Sequence, residues 1–340
     1  SNDGRAVTTK NIDFDGKVIL DLLDSGFANI LVESTDSAIS IRVTKKGEAQ
    51  IHHEKVSKTQ DLAHDRKKDR LLDSADPYLI EVGISDTHGQ VKPSRQDKYR
   101  QVEEFLRILA PALESAISAG QIKTPSIGSP LEIVDLGCGN AYLTFATHQY
   151  LMNKGIPVHV TGIDVREQAR EKNSQIAKKL GIEKSIEFKA EEIARVGGSH
   201  VDIAIALHAC DTATDDAIAW AVKSNAGLVL VAPCCQHDLQ SKLKEIPEPW
   251  PLVTKHGILK ERLVDILTDS IRAQILKLLG YRTDVIEFIG GEHTPKNLLI
   301  RGVKTEAKPE QIEIVRYQEM LKELGVMPAL AERLGDSFTF

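Results

Sequence analysis

Between Leu131 and Val303, short apolar runs alternate with amphipathic stretches in a steady rhythm. The runs are Leu131–Leu136, Val158–Ile163, Ile186–Phe188, Val201–Leu207 and Ala226–Ala232. Helix-like segments, Tyr142–Asn153 and Glu167–Leu180, lie between them with a shorter crossover at Glu191–Val196, and Thr212–Val222 precedes the fifth run. Strands that are apolar throughout are buried on both faces, and strands separated by helices pair in parallel through right-handed crossovers. The spacing therefore predicts a doubly wound, mostly parallel α/β sheet. Its end differs. After a helical stretch at Arg262–Leu279, the runs Asp284–Ile289 and Leu298–Val303 are joined by a turn too short for a parallel crossover, which predicts a terminal antiparallel hairpin.

The chain before this region has another pattern. Ile39, Ile41 and Val43 alternate with Ser40, Arg42 and Thr44, the period of a half-buried strand, and Lys45-Lys46-Gly47 turns it into a partner at Glu48–His53. Ser94 and Asp97 resemble a capping box, followed by the apolar stripe Val102, Phe105, Leu106 and Leu109. Pro125, Gly128 and Pro130 then interrupt the chain. In the tail, Pro309 and Pro328 suit first helical turns, while Gly325 and Gly335 suit helix ends. These signals predict a small α+β domain over residues 1–92, the doubly wound domain over 93–305 and a helical extension over 306–340.

Composition narrows the classes. In 340 residues, 43 Lys and Arg against 49 Asp and Glu give a net charge of −6, so the protein is not basic throughout, although a local basic groove for nucleic acid remains open. A hydrophobic share of 41% excludes wholesale disorder and supports a sizeable core. Candidates for gripping a polyanion are the run His64-Asp65-Arg66-Lys67-Lys68-Asp69-Arg70, whose other reading is a solvated surface segment, and Lys242, Lys244, Lys255, Lys260 and Arg262. No apolar run approaches the ~18 residues of a membrane span, and the first residues lack the core of a secretory leader, so neither a membrane nor a leader is expected. The four cysteines are Cys138, Cys210, Cys234 and Cys235, too few for a disulfide-stapled fold, which predicts reduced thiols and a cytoplasmic protein.

The most informative segment is Ile133-Val134-Asp135-Leu136-Gly137-Cys138-Gly139-Asn140-Ala141. A buried strand runs into a Gly-x-Gly turn and a helix follows, a turn that lies at the carboxyl edge of an open sheet where ligands bind. A nicotinamide or flavin fingerprint needs a third glycine where Tyr142 stands, and no Gly-Lys-Ser or Gly-Lys-Thr of a phosphate loop is present. Asp135, just before the turn, suits a cationic or amine-bearing ligand better than a pyrophosphate.

Here the chain resembles the class I S-adenosylmethionine-dependent methyltransferases, whose first motif is an apolar strand, an acid and Gly-x-Gly-x-Gly. Asp135, Gly137 and Gly139 match it, and Ala141 replaces the last glycine. The resemblance implies S-adenosylmethionine as cofactor, held by the Gly137-Cys138-Gly139-Asn140 turn. Asp164, about 25 residues beyond the turn and followed by Val165, would hold the ribose hydroxyls, and Glu191 would read the adenine amine. It also implies a Rossmann-like sheet ending in an antiparallel hairpin.

The ends of the fourth and fifth strands of this sheet should face the methyl acceptor. They carry Leu207-His208-Ala209-Cys210-Asp211, with Ala213-Thr214-Asp215 close by, and Pro233-Cys234-Cys235-Gln236-His237; the hairpin turn adds His293, Lys296 and Asn297. These strings resemble a methyltransferase subfamily that includes the C-terminal domain of the glutathione-transferase-C-terminal-domain-containing proteins. They are also similar to eukaryotic tRNA 2′-O-methyltransferases with a Cys-Cys-His-His string, of which Gln236 is a departure. This resemblance runs from about Lys98 to Arg301 and implies transfer to an oxygen or nitrogen, with RNA favoured as acceptor.

Alternatives stay open at each position. His208 is a candidate base or a histidine satisfying backbone groups. Asp211 orients it, contacts cofactor or caps the following helix. Lys296 and Asn297 contact the acceptor or serve the turn. His237 joins His208 and Asp211 as a catalytic candidate, while Cys234, Cys235 and His293 are candidates for acceptor contact. The cysteines and histidines as zinc ligands, or a thiolate adding to a pyrimidine ring, are lesser readings, since Cys-x-x-Cys spacing is absent and no metal is expected. Other functions in play are a small-molecule or protein methyltransferase, with the N-terminal domain as a lid in the small-molecule case, and a non-catalytic protein of the same fold. Oligomeric state is not legible.

Overall fold

The computed structural model describes residues 27, 29–33, 37–44, 48–55, 70–198, 200–207, 209–234, 236–244, 246–288, 298–305 and 307–338. The chain divides into two compact units, Ser1–Asp69 and Arg70–Phe340.

In the first unit the described residues form a three-stranded antiparallel sheet of β1 (Asn29–Glu33), β2 (Ser37–Val43) and β3 (Ala49–Lys55), in that order. The alternation around Ile41 sets its register: Ile41 pairs with Ile51 and Val43 with Ala49. Thr44 closes the β2–β3 hairpin, its main-chain N–H donating to the Glu48 carbonyl at 2.9 Å. The basic run at 64–69 lies outside the described residues.

The second unit begins earlier in the chain than a boundary after residue 92. Residues 70–92 meet the long helix α2 (Gln96–Ser118) through Leu71 and Leu72, and their short helix α1 (Pro77–Glu81) lies against the helices Tyr142–Asn153 and Glu167–Leu180. Leu72, Tyr78, Leu79 and Ile84 enter the same core as Tyr99, Phe105 and Leu109. Glu103 fastens this strap: its carboxylate accepts from the N–H groups of Leu71 and Leu72 at 3.3 and 2.9 Å, and the Tyr99 hydroxyl donates to the Leu72 carbonyl at 2.8 Å. Ser94 is not the helix cap. Pro93 starts a 3-10 turn over Pro93–Arg95, and α2 follows with Arg95 as its N-cap residue and no side-chain capping bond.

The main sheet comprises β4 (Leu131–Leu136), β5 (Val158–Asp164), β6 (Ile186–Ala190), β7 (Ile203–Ala206), β8 (Leu228–Val231), β9 (Tyr281–Glu287) and β10 (Leu298–Lys304). Its order is β6-β5-β4-β7-β8-β10-β9, parallel up to β8, after which β10 and β9 run antiparallel. Between the strands lie α3 (Tyr142–Asn153), α4 (Glu167–Leu180) and α5 (Thr212–Lys223). After β8 come α6 (Asp238–Lys242), α7 (Pro251–Thr254) and α8 (Gly257–Leu278), and the tail holds α9 (Gln311–Leu324) and α10 (Ala329–Leu334). Pro309 lies two residues before α9 rather than within it, whereas Gly325 closes α9 at φ +63° and Pro328 is the N-cap of α10.

Alternate residues of each central strand serve different layers. Ile133, Ile205 and Leu230 pack with Leu106, Leu109 and Phe145 on one face, while Val134, Ala204 and Val229 pack with Trp220, Ile271 and Ile275 on the other. Burial on both faces is why these strands read as unbroken apolar runs. Among the described residues no helix is long and apolar enough to cross a membrane.

Gly162 shows how tightly β5 and β6 approach. A Cβ there would lie 2.6 Å from the Phe188 ring and 3.2 Å from the Cys138 sulfur. Phe188 is itself fixed against Phe145, with ring centroids 5.3 Å apart. Gly162→Ala is therefore expected to destabilise the second unit by about 1–3 kcal/mol through overpacking. Urea unfolding checks this, and an unchanged midpoint would show that the ring has room to yield.

Candidate active site

Strand order reverses about β4, whose neighbours β5 and β7 lead to opposite flanks of the sheet. The crevice at such a switch point is where open α/β sheets bind ligands, and the glycine turn after β4 occupies it. Gly137, Gly139 and Ala141 all have positive φ, +78°, +58° and +56°. The first two are at home there, whereas Ala141 adopts a conformation that costs an alanine energy and is held by complete burial. The turn is pinned from below: the N–H groups of Gly137 and Cys138 both donate to the Ile163 carbonyl, at 2.8 and 2.9 Å. From the side, Asn173 of α4 donates to the Gly139 carbonyl at 3.0 Å.

Asp164, the last residue of β5, couples strand and turn. Its carboxylate accepts from the Gly139 N–H at 2.9 Å, from the Arg166 N–H at 3.0 Å and from the Arg166 guanidinium at 2.8 and 3.1 Å. Burial pushes its pKa up, but these donors outweigh burial and hold the carboxyl below the usual carboxylate range. It is therefore ionised at neutral pH. The Arg166 side chain is 61% exposed, so the guanidinium is a partner free to swing aside. Glu191 follows β6 at the same edge, its main-chain N–H bonded to the Asp164 carbonyl at 3.0 Å, and its side chain is half-buried. Val165 is exposed, and Asn140 is exposed with Lys172 3.5 Å from its side-chain oxygen.

Asp135 occupies a different setting from the ligand-facing one expected of it. It is buried, and its carboxyl accepts from the Thr144 hydroxyl at 2.6 Å in the first turn of α3, tying strand to helix beneath the turn. Burial raises its pKa to about 7, opposed by the Thr144 hydrogen bond and reinforced by the charge of Asp164. Cys138 is buried too, and burial drives its thiol pKa far up, so it is a packed, unreactive group.

The lip beyond β7 and β8 is built around Asp211. This residue adopts φ +51°, ψ −124°, a backbone conformation that non-glycine residues rarely hold. Its carboxylate makes no capping bond to α5, although it stands at the N-cap position. It reaches across instead, accepting from the N–H groups of His237 and Asp238 at 2.9 and 3.1 Å. The loops after β7 and β8 are thus joined by one carboxylate, and the Cys210 and Cys234 sulfurs meet at 2.7 Å beside it. His237 is exposed. His208, Cys235, His293, Lys296 and Asn297 lie outside the described residues.

Beneath the lip is a group that sequence reading missed. Arg272 of α8, 1% exposed, donates to both carboxylate oxygens of Asp215 at 2.9 and 2.6 Å, to Asp269 at 3.3 Å and to the Asp211 carbonyl at 3.0 Å. Asp269 also accepts from the buried Gln236 amide. Burial works against the Arg272 charge, but its two carboxylate partners more than offset that and raise its pKa. The signal was a charge within an apolar helical stripe: Arg272 lies one turn from Ile275 and two from Val264, both buried. Gln236 has its physical role here.

Among the described residues no group of His, Cys, Asp and Glu is arranged to hold a metal ion. Of the basic candidates, Lys242 is engaged by Asp238 and Glu332, and Lys260 lies 3.4 Å from the Leu243 carbonyl. Lys244, Lys255 and Arg262 are exposed.

No curated protein matches the chain. Among solved structures it is similar to magnesium protoporphyrin IX methyltransferase from Synechocystis with bound SAH, at 15% identity over 68% of this chain and 93% of that one, with a TM-score of 0.38. It is also similar to the tRNA (uracil-54, C5)-methyltransferase of Pyrococcus abyssi in complex with S-adenosyl-L-homocysteine, at 14% identity over 57% of this chain and 38% of that one, with a TM-score of 0.31. A third is a geranyl diphosphate methyltransferase in complex with GPP and sinefungin, at 12% identity over 54% of this chain and 74% of that one, with a TM-score of 0.33. A family model described as a methyltransferase domain matches residues 97–242. That match runs from α2 through the glycine turn and both lip loops to α6, so the segment that carries the candidate site is similar to a methyltransferase domain.

Proposed function

We propose that the enzyme transfers a methyl group from S-adenosylmethionine to an oxygen or nitrogen of an RNA acceptor. The observation that carries the cofactor reading is the Asp164 carboxylate, held ionised at the end of β5 while it grips the Gly139 N–H. A fixed anion next to a glycine turn is the acceptor that suits two ribose hydroxyls beside a close-approaching ligand backbone. When bound, the cofactor supplies an electrophilic methyl carbon on a sulfonium. The chain's own groups do the rest. Gly137 and Gly139 admit the ligand, Asp164 and Glu191 orient it, and Asp135 with Thr144 keeps the turn from collapsing into the sheet. Asp211 fixes the lip on which His208 and His237 are the candidates for taking a proton from the acceptor, with Cys234, Cys235, His293, Lys296 and Asn297 as candidate acceptor contacts.

RNA as acceptor is supported by the exposed cations Lys244, Lys255 and Arg262 on the segments that follow the lip.

Isothermal titration with S-adenosylmethionine should show binding, weakened roughly 10- to 100-fold in Asp164→Ala, the loss of charge-assisted hydrogen bonds. Equal affinity in the variant would remove Asp164 from the site. Tritiated methyl transfer to total RNA, protein and metabolite fractions should label RNA, with labelling that declines as salt rises. Label confined to protein or metabolites would replace the acceptor while leaving the cofactor reading intact.

A further inference from the structure

We propose that Cys210 and Cys234 are a reactive dithiol that closes into a disulfide across the acceptor lip. Three observations carry it. The two sulfurs are 2.7 Å apart, so bridging to the ~2.05 Å of a covalent bond asks for side-chain adjustment rather than rearrangement of the sheet. Both residues are exposed, so a small oxidant reaches them. They also sit on loops already held in register, because the Asp211 carboxylate next to Cys210 binds the N–H groups of His237 and Asp238 just beyond Cys234. A contrast agrees with them: Cys138 is buried with its thiol pKa driven up, so thiol chemistry is concentrated at the lip.

The reaction balances with a small-molecule disulfide as oxidant. The thiolate of one cysteine, its proton released to solvent, attacks one sulfur of the oxidant, and the oxidant's S–S bond breaks to expel a thiolate that picks up a proton. The second cysteine, deprotonated in turn, attacks the mixed disulfide at the protein sulfur and expels the other half of the oxidant. The protein loses two hydrogens and two electrons, and the oxidant becomes two thiols. An excess of dithiol reductant runs the exchange backwards. The bridge would connect the ends of β7 and β8 and close a loop that contains all of α5, fastening the edge where the acceptor is proposed to enter.

The test uses the full chain and needs no methyl-transfer assay, so its failure is separate from failure of the proposed reaction. The purified protein is incubated with oxidised glutathione, unfolded and alkylated with iodoacetamide, and its intact mass and peptides are measured. Oxidised protein should take up two alkyl groups instead of four, and a peptide pair linked through Cys210 and Cys234 should appear and vanish with dithiothreitol. Cys210→Ser and Cys234→Ser, each made singly, should abolish that linked pair, and should also abolish the rise in melting temperature that a cross-link through the chain produces on oxidation. A melting temperature indifferent to oxidant, four alkylated cysteines after treatment, or a linkage through Cys235 in place of Cys234 would each overturn the proposal.

Discussion

Arg272→Met is expected to lower the stability of the second unit by about 3–5 kcal/mol, the usual cost of removing one partner from a buried ion pair. The guanidinium is the shared donor for Asp215 and Asp269, both nearly inaccessible, and for the carbonyl of Asp211. Methionine fills similar volume but leaves two buried carboxylates without their shared cation, so either they take up protons or water must enter. Stability should therefore recover in part as pH falls and those carboxylates protonate. Arg272→Lys should recover little, because one ammonium cannot reproduce the paired bonds to Asp215 and the reach to Asp211. Because Asp211 sits in a conformation of roughly 1–3 kcal/mol strain, releasing its carbonyl should also loosen the lip. Urea unfolding at pH 7.5 and at pH 5 measures the first effect, and hydrogen exchange at His237 and Asp238 the second. A destabilisation below about 1 kcal/mol would mean that the charge is dispensable.

Asp135→Asn should stabilise the protein at alkaline pH and change little in acid. The folded pKa of this carboxyl is about 7 against 3.8 in a free chain. A group whose pKa is raised by folding favours the folded state fully below its unfolded pKa, and that contribution is lost as pH rises through the folded value. Wild type should thus lose stability between about pH 4 and pH 7, by up to roughly 4 kcal/mol from this one fully buried site, since every tenfold change in proton affinity is worth about 1.4 kcal/mol. Asparagine keeps a carbonyl oxygen for the Thr144 hydroxyl and has no charge to bury. The two proteins should converge near pH 4 and diverge towards pH 8. Parallel pH profiles of the unfolding midpoint would show that the carboxyl titrates without cost to the fold.

Periodic signals were the legible ones. Tyr142–Asn153 and Glu167–Leu180 were read to the residue, since a glycine turn or strand end sets their starts and the apolar period their extents. The last strands were harder. The reading of Asp284–Ile289 starts late because β9 begins at Tyr281, paired with Lys304, a ladder partner more than twenty residues away that no local pattern announces. Helix α8 likewise starts earlier, at Gly257 rather than Arg262, because Ile258 and Leu259 in its first turn are exposed and do not continue the buried stripe. At the candidate site, Gly137, Gly139 and Asp164 were visible as a motif, whereas Arg272 was hidden because a charged helix residue reads as solvated until its partners on α5 and beyond β7 are known. Asp211 was open to capping the helix it precedes, orienting His208 or contacting cofactor, and its carboxylate in fact bonds to the main chain of another loop. The strap over residues 70–92 escaped altogether, being fastened by side-chain bonds to main chain rather than by a repeating face.

That strap also moves the point at which the second unit starts as a unit of inheritance. A gene rearrangement that cut the coding sequence at the head of the long helix would strip Tyr78, Leu79 and Ile84 out of the core. It would also take from the Glu103 carboxylate the two amides it now serves. Any successful transplant of this module onto another chain has to carry the preceding segment with it, and tolerance to fusion belongs upstream of Arg70.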